Sequence, residues 1–190
     1  MNIFYLSNNP KIASEQHIDK HVVKMILETA QLLCTSHRIL DGQEYIAEKI
    51  NKNGNSRKVK RYSLGDSNLD SVLYSATHVN HPCTIWSRSD INNYMWLYNL
   101  FTCLCDEYTF RYNKVHKCDT LFRSLLKSPP KNIPTNSFTP PAQAMPDEYK
   151  DSDPIVAYRK YYINEKAKFA NWTKREVPNW FSSGDIYADL

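Results

Sequence analysis

The sequence predicts an all-α fold in one compact domain. Two long segments, near residues 10–40 and 89–113, repeat apolar residues at helical i, i+3 and i+4 spacing, and a third, 155–172, follows Asp153-Pro154. A chain of 190 residues with 42% hydrophobic and 23% charged residues suits a single globular domain with a sizeable core. We therefore expect one helical domain over residues 1–190, in which 183–190 form a frayed polar tail.

The first helix is expected to begin at Asn9-Pro10 and to end at Asp41-Gly42, because Asn and Pro favour helix starts and Gly favours helix ends. The apolar residues 2–6 before it indicate a strand or an extended arm. After it, residues 43–50 are interpreted as a short helix. Residues 51–68, which are polar and rich in turn formers, are interpreted as a loop.

In the second half, Asn80-His81-Pro82 is expected to start a helical turn, and Ser89 to cap the long helix that runs to Asn113. Residues 120–128 are expected to form a short amphipathic helix. Residues 129–150 contain six prolines and therefore cannot form regular structure. We expect them to form a long ordered loop or a lid.

A row of polar residues runs along the first helix. Projected at about 100° per residue, its members fall within roughly 40° of one line; they are His17, His21, Lys24, Glu28, Gln31 and Thr35. The rest of the helix is mostly apolar, which is typical of a buried helix. The row must therefore face either a solvated cleft or an internal polar network, and its mixture of imidazoles, ammonium and carboxylate favours the cleft.

Lys24 and Glu28 are the candidate catalytic residues. A lysine that lies between apolar turns and other cations can have a lowered pKa, so that more of it is present as the neutral amine. The neutral amine is a nucleophile that is able to form a Schiff base. Glu28, one turn further on, would act as the general acid and base. The alternative interpretation is a structural i,i+4 ion pair.

The candidate binding residues supply imidazole, amide and guanidinium groups for a phosphate or a base; they are His17, His21, Gln31, His78, His81 and Arg88. The most concentrated run of positive charge in the chain consists of Arg57, Lys58, Lys60 and Arg61. This run is expected either to form a solvated loop or to contact the DNA backbone. His37 and Arg38 would extend the positive wall of the cleft.

The four histidines form two pairs, His17-x3-His21 and His78-x2-His81, which leaves a metallohydrolase open as an alternative. The sequence contains no H-E-x-x-H motif and no carboxylate at a standard offset, so we expect neither a metal nor another cofactor.

The composition limits the kinds of binding partner and the cellular compartment with which the sequence is compatible. With 4 glycines and no G-x-G-x-x-G, P-loop or nucleophile-elbow motif, glycine-rich nucleotide loops are disfavoured. The net charge of +4 is compatible with a nucleic-acid partner. Five cysteines without a C-x-x-C pair, the lack of a signal peptide and the lack of a long apolar run together indicate a protein of the cytoplasm, or of the host cytoplasm if it is viral, without a membrane partner.

The segments EQHIDKHVVKMILETAQLLCTSHR, NHPCTIWSRSDINNYMWLYNLFTCLCDEYTFRYN and VPNWF, taken in this order, resemble pyrimidine-dimer DNA glycosylases of the phage endonuclease V type. The resemblance implies a compact all-α fold and attack by an amine at a glycosidic bond with the help of a carboxylate. In that family the amine belongs to a small N-terminal residue. The catalytic carboxylate follows an arginine about two turns into the first helix. Counted from His17, the matching positions are Val23 and Lys24, and Glu28 lies one turn later.

The chain is more specifically similar to an uncharacterised protein family of large tailed phages, from DKHVVKMILETAQLL through NHPC and QAMPDEYK to YRKYYINEKAKFANW. Together these observations predict a DNA-binding viral protein that acts on a nucleobase or a glycosidic bond through a cleft on the first helix. The alternative is a non-catalytic phage protein that binds or sequesters a nucleotide or another small anionic ligand in the same cleft.

Overall fold

The computed structural model describes residues 1–188, which form a mostly helical fold with one small sheet. The α-helices are α1 Pro10–Gln16, α2 Asp19–Asp41, α3 Ser67–Val72, α4 Pro82–Ser89, α5 Ile91–Tyr112, α6 Lys117–Phe122, α7 Pro154–Lys166 and α8 Asn179–Ser182. The two strands are β1 Gln43–Ile50 and β2 Ser56–Ser63. The predicted helical character is confirmed, but the prediction that the fold is purely α-helical is wrong.

The core lies where α2 packs against α5 and α4, while α1 packs against the other end of α5. Ile26 and Leu33 of α2 and Phe101 of α5 are completely buried, as is Tyr158 of α7. The extended residues 2–6 are buried as well, so the N-terminal segment is an arm that runs through the core rather than a strand of a sheet. The apolar face predicted for α5 does pack inward: Tyr94, Leu97, Tyr98, Phe101, Leu104 and Cys105 are buried.

The predicted first helix is divided into α1 and α2 at His17 and Ile18, which have extended backbone angles. Asn9 caps α1 with Pro10 in its first turn, as predicted. The last carbonyl of α1, that of Gln16, accepts a hydrogen bond from outside the helix, because Trp172 Nε1 donates to it at 2.9 Å. The break therefore depends on residues near the other end of the chain. The helix ends at Gly42, as predicted.

Residues 43–63 form a β-hairpin, so the predictions of a short helix over 43–50 and of a loop over 51–68 are wrong. The strands are antiparallel, with Gln43 opposite Ser63 and Ile50 opposite Ser56. Between them, Gly54 adopts a φ of +80°, which suits glycine and permits the tight turn. Both strands are largely exposed, so no apolar face marks them in the sequence.

The remaining helix starts follow the predicted chemistry. His81 caps α4, and the side chain of Asp153 caps α7. Asp90, rather than Ser89, caps α5, and Asn113 ends it with a φ of +53°. The short helix α6 covers residues 117–122 instead of 120–128.

The proline-rich segment 129–150 is irregular except for a single 3-10 turn at Asp147–Tyr149. It is fixed to α4 and α5, because Trp86 Nε1 donates to the carbonyl of Thr139 at 2.8 Å and the amide of Thr139 donates to Asn93 Oδ1 at 2.9 Å. The segment is thus an ordered loop on the surface.

Part of the predicted frayed tail, 183–190, is anchored. Arg159, which is fully buried, donates to the carbonyls of Ile186 and Ala188 at 2.9 and 2.5 Å. Residues 189 and 190 lie outside the described residues. Among residues 1–188, none of the helices has both the length and the hydropathy that a membrane crossing requires.

Candidate functional site

The polar row on the first helix divides into a buried part and a surface part. His17, His21 and Thr35 are buried, whereas Lys24 is exposed and Glu28 and Gln31 are partly exposed. The row is therefore an internal network at its ends and a surface site in its middle. The two alternatives that the sequence left open each hold for half of the residues.

His17 and His21 belong to the core, so their predicted contact with a phosphate or base is not supported. His17 Nδ1 donates to the carbonyl of Ala13 at 2.6 Å. His21 stacks on Phe4 at a centroid distance of 4.2 Å, and its Nδ1 shares a hydrogen bond of 2.5 Å with the Tyr162 hydroxyl. Burial lowers the pKa of His17 to about 4 and, with help from the neighbouring cations, that of His21 to about 2. Both rings are held neutral.

Lys24 and Glu28 form the centre of the surface part. Lys24 Nζ lies 3.0 Å from Glu28 Oε1, and the two side chains are 66% and 13% exposed. The other carboxylate oxygen, Glu28 Oε2, accepts a hydrogen bond of 3.2 Å from the backbone amide of Asn2. The Lys24 ammonium is thus mostly solvated rather than held between apolar turns as the sequence analysis expected. The carboxylate is the more enclosed partner.

Asn2 connects this pair to the proline-rich segment. Its side-chain amide donates to the carbonyl of Ala144 at 2.9 Å, and Cys83 Sγ lies 3.8 Å from the carbonyl of Ala142. Asn2 therefore joins the proline-rich segment to the surroundings of Glu28.

His81 lies close enough to Glu28, to the N-terminal amino group and to His78 to interact electrostatically with them. Burial, followed by the positive charges of the Met1 amino group and of His78, lowers the pKa of His81, while Glu28 opposes this shift. His81 Nδ1 accepts a hydrogen bond from the backbone amide of Cys83 at 3.2 Å, so in the neutral ring Nε2 carries the proton. His78 is exposed and has a φ of +48°, which is uncommon for a residue other than glycine.

Next to the exposed turns of α2 lies a surface on which lysines cover aromatic rings, which the sequence analysis missed. Lys20 Nζ lies 4.5 Å from the centroid of the Phe169 ring, and Lys166 Nζ lies 4.5 Å from that of Tyr161. The charges of Lys24 and Lys166 both act on His21, which places these two lysines near the buried ring of His21. Tyr161 and Lys166 are five residues apart on a helix, and this spacing does not predict from the sequence that their side chains are in contact.

Gln31 lies on α2, as Glu28 does, whereas Arg88 lies on α4. Gln31 is partly exposed one turn after Glu28. Arg88, at the end of α4, donates from Nη1 to the carbonyl of Thr84 at 2.9 Å and interacts with Tyr62 of β2. Arg88 is thus near the base of the hairpin rather than beside Glu28.

The predicted backbone-binding run lies on β2, where alternate residues point to opposite faces. Arg57 and Arg61 share one face of the hairpin, and Lys58 and Lys60 share the other. Lys60 is neutralised by Glu44, with 2.9 Å between Nζ and Oε1. The four cations therefore do not act as one cluster.

Arg38 and His37, expected at the cleft wall, are buried. Arg38 donates to the backbone carbonyls of Tyr62, Leu73 and Tyr74 at 2.7 to 3.2 Å and is paired with Asp70. Its role is to fix the hairpin and α3 to the end of α2. Within residues 1–188, no three His, Cys, Asp or Glu side chains are grouped so that they could hold a metal ion, and the four-histidine metal site is not supported.

Comparisons of the chain with protein-family models, with curated proteins and with solved structures find no match. The resemblance to endonuclease V-type glycosylases therefore stays a prediction. The geometry around Glu28 is the basis on which a function can be proposed.

Proposed function

We propose that the chain is a DNA-binding viral enzyme of the glycosylase or lyase type, which acts at C1′ of a nucleotide through Lys24 and Glu28. One observation carries the proposal: the little-exposed Glu28 carboxylate contacts an exposed primary amine through one oxygen and a backbone amide through the other. An amine and a carboxylate in contact at a surface are the two groups that Schiff-base chemistry at a sugar carbon needs.

In this reaction the Lys24 nitrogen attacks as the free amine, and Glu28, 3.0 Å away, accepts a proton from that nitrogen as its bond to C1′ forms. The Nζ–C1′ bond forms as the glycosidic bond breaks, and the base leaves with the electron pair. At an abasic site the amine adds to the aldehyde and water leaves instead. When a base is excised, Glu28 passes one proton from the nitrogen to the departing base. The C1′–O4′ bond then opens as the nitrogen lone pair forms the C1′=N bond, and the remaining N–H proton passes to O4′, so both routes end in an imine between Lys24 and the opened sugar.

The surroundings of the pair suit a nucleotide. His81, with its proton on Nε2, can donate a hydrogen bond to a base or a phosphate. Lys20 and Lys166 supply positive charge beside the aromatic rings of Phe169 and Tyr161, which is a combination that single-stranded or extrahelical nucleotides use for stacking.

The test is trapping with sodium borohydride, which reduces an imine to a stable covalent adduct, on duplexes that contain an abasic site or a damaged base. We expect the wild type to form an adduct, Lys24→Ala to form none, and Glu28→Gln to form it at least about 100-fold more slowly. Lys11→Ala is the matched control, since Lys11 is also an exposed helical lysine but belongs to α1 and is not the partner of Glu28.

An adduct that persists in Lys24→Ala would move the nucleophile to another amine, which mass spectrometry of the adducted peptide would identify. The amino group of Met1 is the next candidate, because it acts on His81 together with Glu28. The absence of an adduct from every substrate would refute the enzymatic proposal.

The second candidate function is capture of a nucleotide or another small anion without catalysis. Lys20 beside Phe169 and Lys166 beside Tyr161 favour it, since they offer charge and ring faces without requiring a reaction. Titration with a nucleoside monophosphate at several salt concentrations tests it. Capture of a small ligand should depend on salt far less steeply than binding of DNA.

A further inference from the structure

We propose that one face of the β-hairpin is a docking surface for the phosphate backbones on both sides of a DNA major groove. The proposal rests on the proposed function only in taking DNA as the partner, because the hairpin is separate from the Lys24–Glu28 pair. Four observations on strands β1 and β2 support it.

The hairpin projects from the helical body. In β1 only Ala47 is even partly buried, and in β2 only Val59, Arg61 and Tyr62 are. The hairpin is attached to the end of α2 at its base, where the Arg38 guanidinium donates a hydrogen bond of 2.9 Å to the carbonyl of Tyr62. Most of each broad face of the ribbon is therefore accessible to a partner, although Ala47, Val59 and Arg61, which share one face, are partly covered.

The strand register separates the charges by face. One face, here called the cationic face, carries three basic residues and no carboxylate; it consists of Gln43, Tyr45, Ala47, Lys49, Arg57, Val59, Arg61 and Ser63. The opposite face balances two lysines against two glutamates, because Glu48 is directly opposite Lys58 and Glu44 pairs with Lys60. The charge that remains uncompensated is thus confined to the cationic face.

The cationic face contains a pairing that costs stability. Lys49 and Arg57 are directly opposite each other in the register, and like charges at such positions destabilise a sheet. A hairpin that only needed to be soluble would gain from an acidic residue at either position. A polyanion bound to this face removes the repulsion, which gives the arrangement a physical reason.

The spacing of the charges suits duplex DNA. Lys49 and Arg57 form the pair nearest the turn, and Arg61, opposite Tyr45, lies two pairs further along the same face, with the uncharged pair Ala47 and Val59 between them. Four residues of strand separate Arg57 from Arg61 by roughly 13 Å, close to the width of a B-form major groove, about 12 Å. The charges on the two sides of the uncharged pair can therefore reach phosphates on opposite edges of the groove, while the uncharged pair lies over it.

The experiment measures binding of the full-length chain to a short fluorescein-labelled DNA duplex by anisotropy over a series of NaCl concentrations. The cationic-face variant is Arg57→Gln with Arg61→Gln. The matched control is Lys58→Gln with Lys60→Gln, which removes the same charge from the same strand. Each lost phosphate contact lowers the salt slope by about 0.9, so the cationic-face variant should lose about 1.8 and bind roughly 60-fold more weakly near 0.1 M salt. The control should keep the wild-type slope.

A third variant, Lys49→Glu, separates binding from stability. It creates an ion pair with Arg57, so the melting temperature should rise slightly while affinity for DNA falls. A variant that merely damaged the hairpin would lose both. The cationic-face pair should likewise melt no lower than the wild type, because it relieves the repulsion with Lys49.

Equal loss of affinity from the two double variants, or a larger loss from the control, would overturn the proposal. Failure of the wild type to bind the duplex at low salt would overturn it as well. Borohydride trapping is read independently. If the wild type forms an adduct but the cationic-face variant keeps the wild-type salt slope, the proposed function is supported and the docking surface is refuted. If the variant has a lowered salt slope but no adduct forms, the docking surface is supported and the enzymatic function is refuted.

Discussion

Replacement of Arg111 by Met is expected to destabilise the fold far more than replacement of a surface arginine with similar ion pairs. The Arg111 side chain is completely buried, and it donates to Glu107 Oε1 at 2.6 Å, to Asp19 Oδ1 at 2.8 Å and to the carbonyl of Glu15 at 2.9 Å. It thereby holds α5, the end of α1 and the start of α2 together.

The magnitude follows from what the substitution leaves behind. Glu107 is only 3% exposed and would keep Arg175 as its cationic partner, and Asp19 would keep neutral donors. Burial by itself would raise the pKa of Glu107, but hydrogen bonds from Arg175 and Arg111 hold it below its ordinary value. Removal of one partner from a buried ion pair costs about 3–5 kcal/mol. Because Arg175 still compensates the charge of Glu107, we expect a loss toward the lower end of this range.

The matched control is Arg123→Met. Arg123 makes contacts of 2.5 Å to Asp119 and 2.6 Å to Asp106, but its side chain is 38% exposed. Exposed ion pairs contribute about 1 kcal/mol or less. Met keeps much of the aliphatic stem in both variants, so the comparison isolates the effect of burial on the charge.

The assay is urea unfolding followed by circular dichroism, with the melting temperature as a second readout. For a chain of this size each kcal/mol corresponds to about 2–4 °C, so Arg111→Met should melt about 6–20 °C lower and Arg123→Met less than about 4 °C lower. Similar losses in the two variants would show that burial does not govern these ion pairs and would refute the reasoning.

Two further predictions concern the hairpin and the buried histidines. Arg38→Met removes the hydrogen-bond donors to the carbonyls of Tyr62 and Leu73 and should therefore loosen the base of the hairpin. Hydrogen exchange at the amides of β1 and β2 should then become faster, while exchange in the core stays slow. Unchanged exchange in the strands would show that other residues anchor the hairpin. Because burial lowers the folded pKa of His21 to about 2, the unfolded chain binds the additional proton, and the free energy of unfolding should fall as pH drops below about 6.5, by about 2 kcal/mol near pH 5. His21→Phe should reduce this pH dependence, and an equally steep profile in the variant would assign it to other groups.

The sequence alone identified the features that depend on local chemistry. Asn9-Pro10, His81-Pro82 and Asp153-Pro154 start helices in the structure, because capping uses only neighbouring residues. The apolar face of α5 was also predicted, since core packing imposes a helical period on the residues. The hairpin was missed because its strands cover no core and so lack an apolar period.

The candidate site shows the same division. The helical period placed Lys24 and Glu28 one turn apart and in contact, as predicted from the sequence. It could not show that His17 and His21 of the same row are enclosed by Phe4 and Tyr162, which come from distant parts of the chain. It also could not place the amide of Asn2 on Glu28, because that contact depends on the path of the arm.

The sequence by itself thus determined a helical domain, its caps and a polar row with an amine and a carboxylate at its centre. Tertiary structure decided which members of the row reach solvent, where α1 breaks from α2, and how the cations of β2 divide between two faces. The physical reason is range. Caps and helical periods act between residues a turn apart, whereas burial, strand register and charge compensation are set by segments that meet only when the whole chain folds.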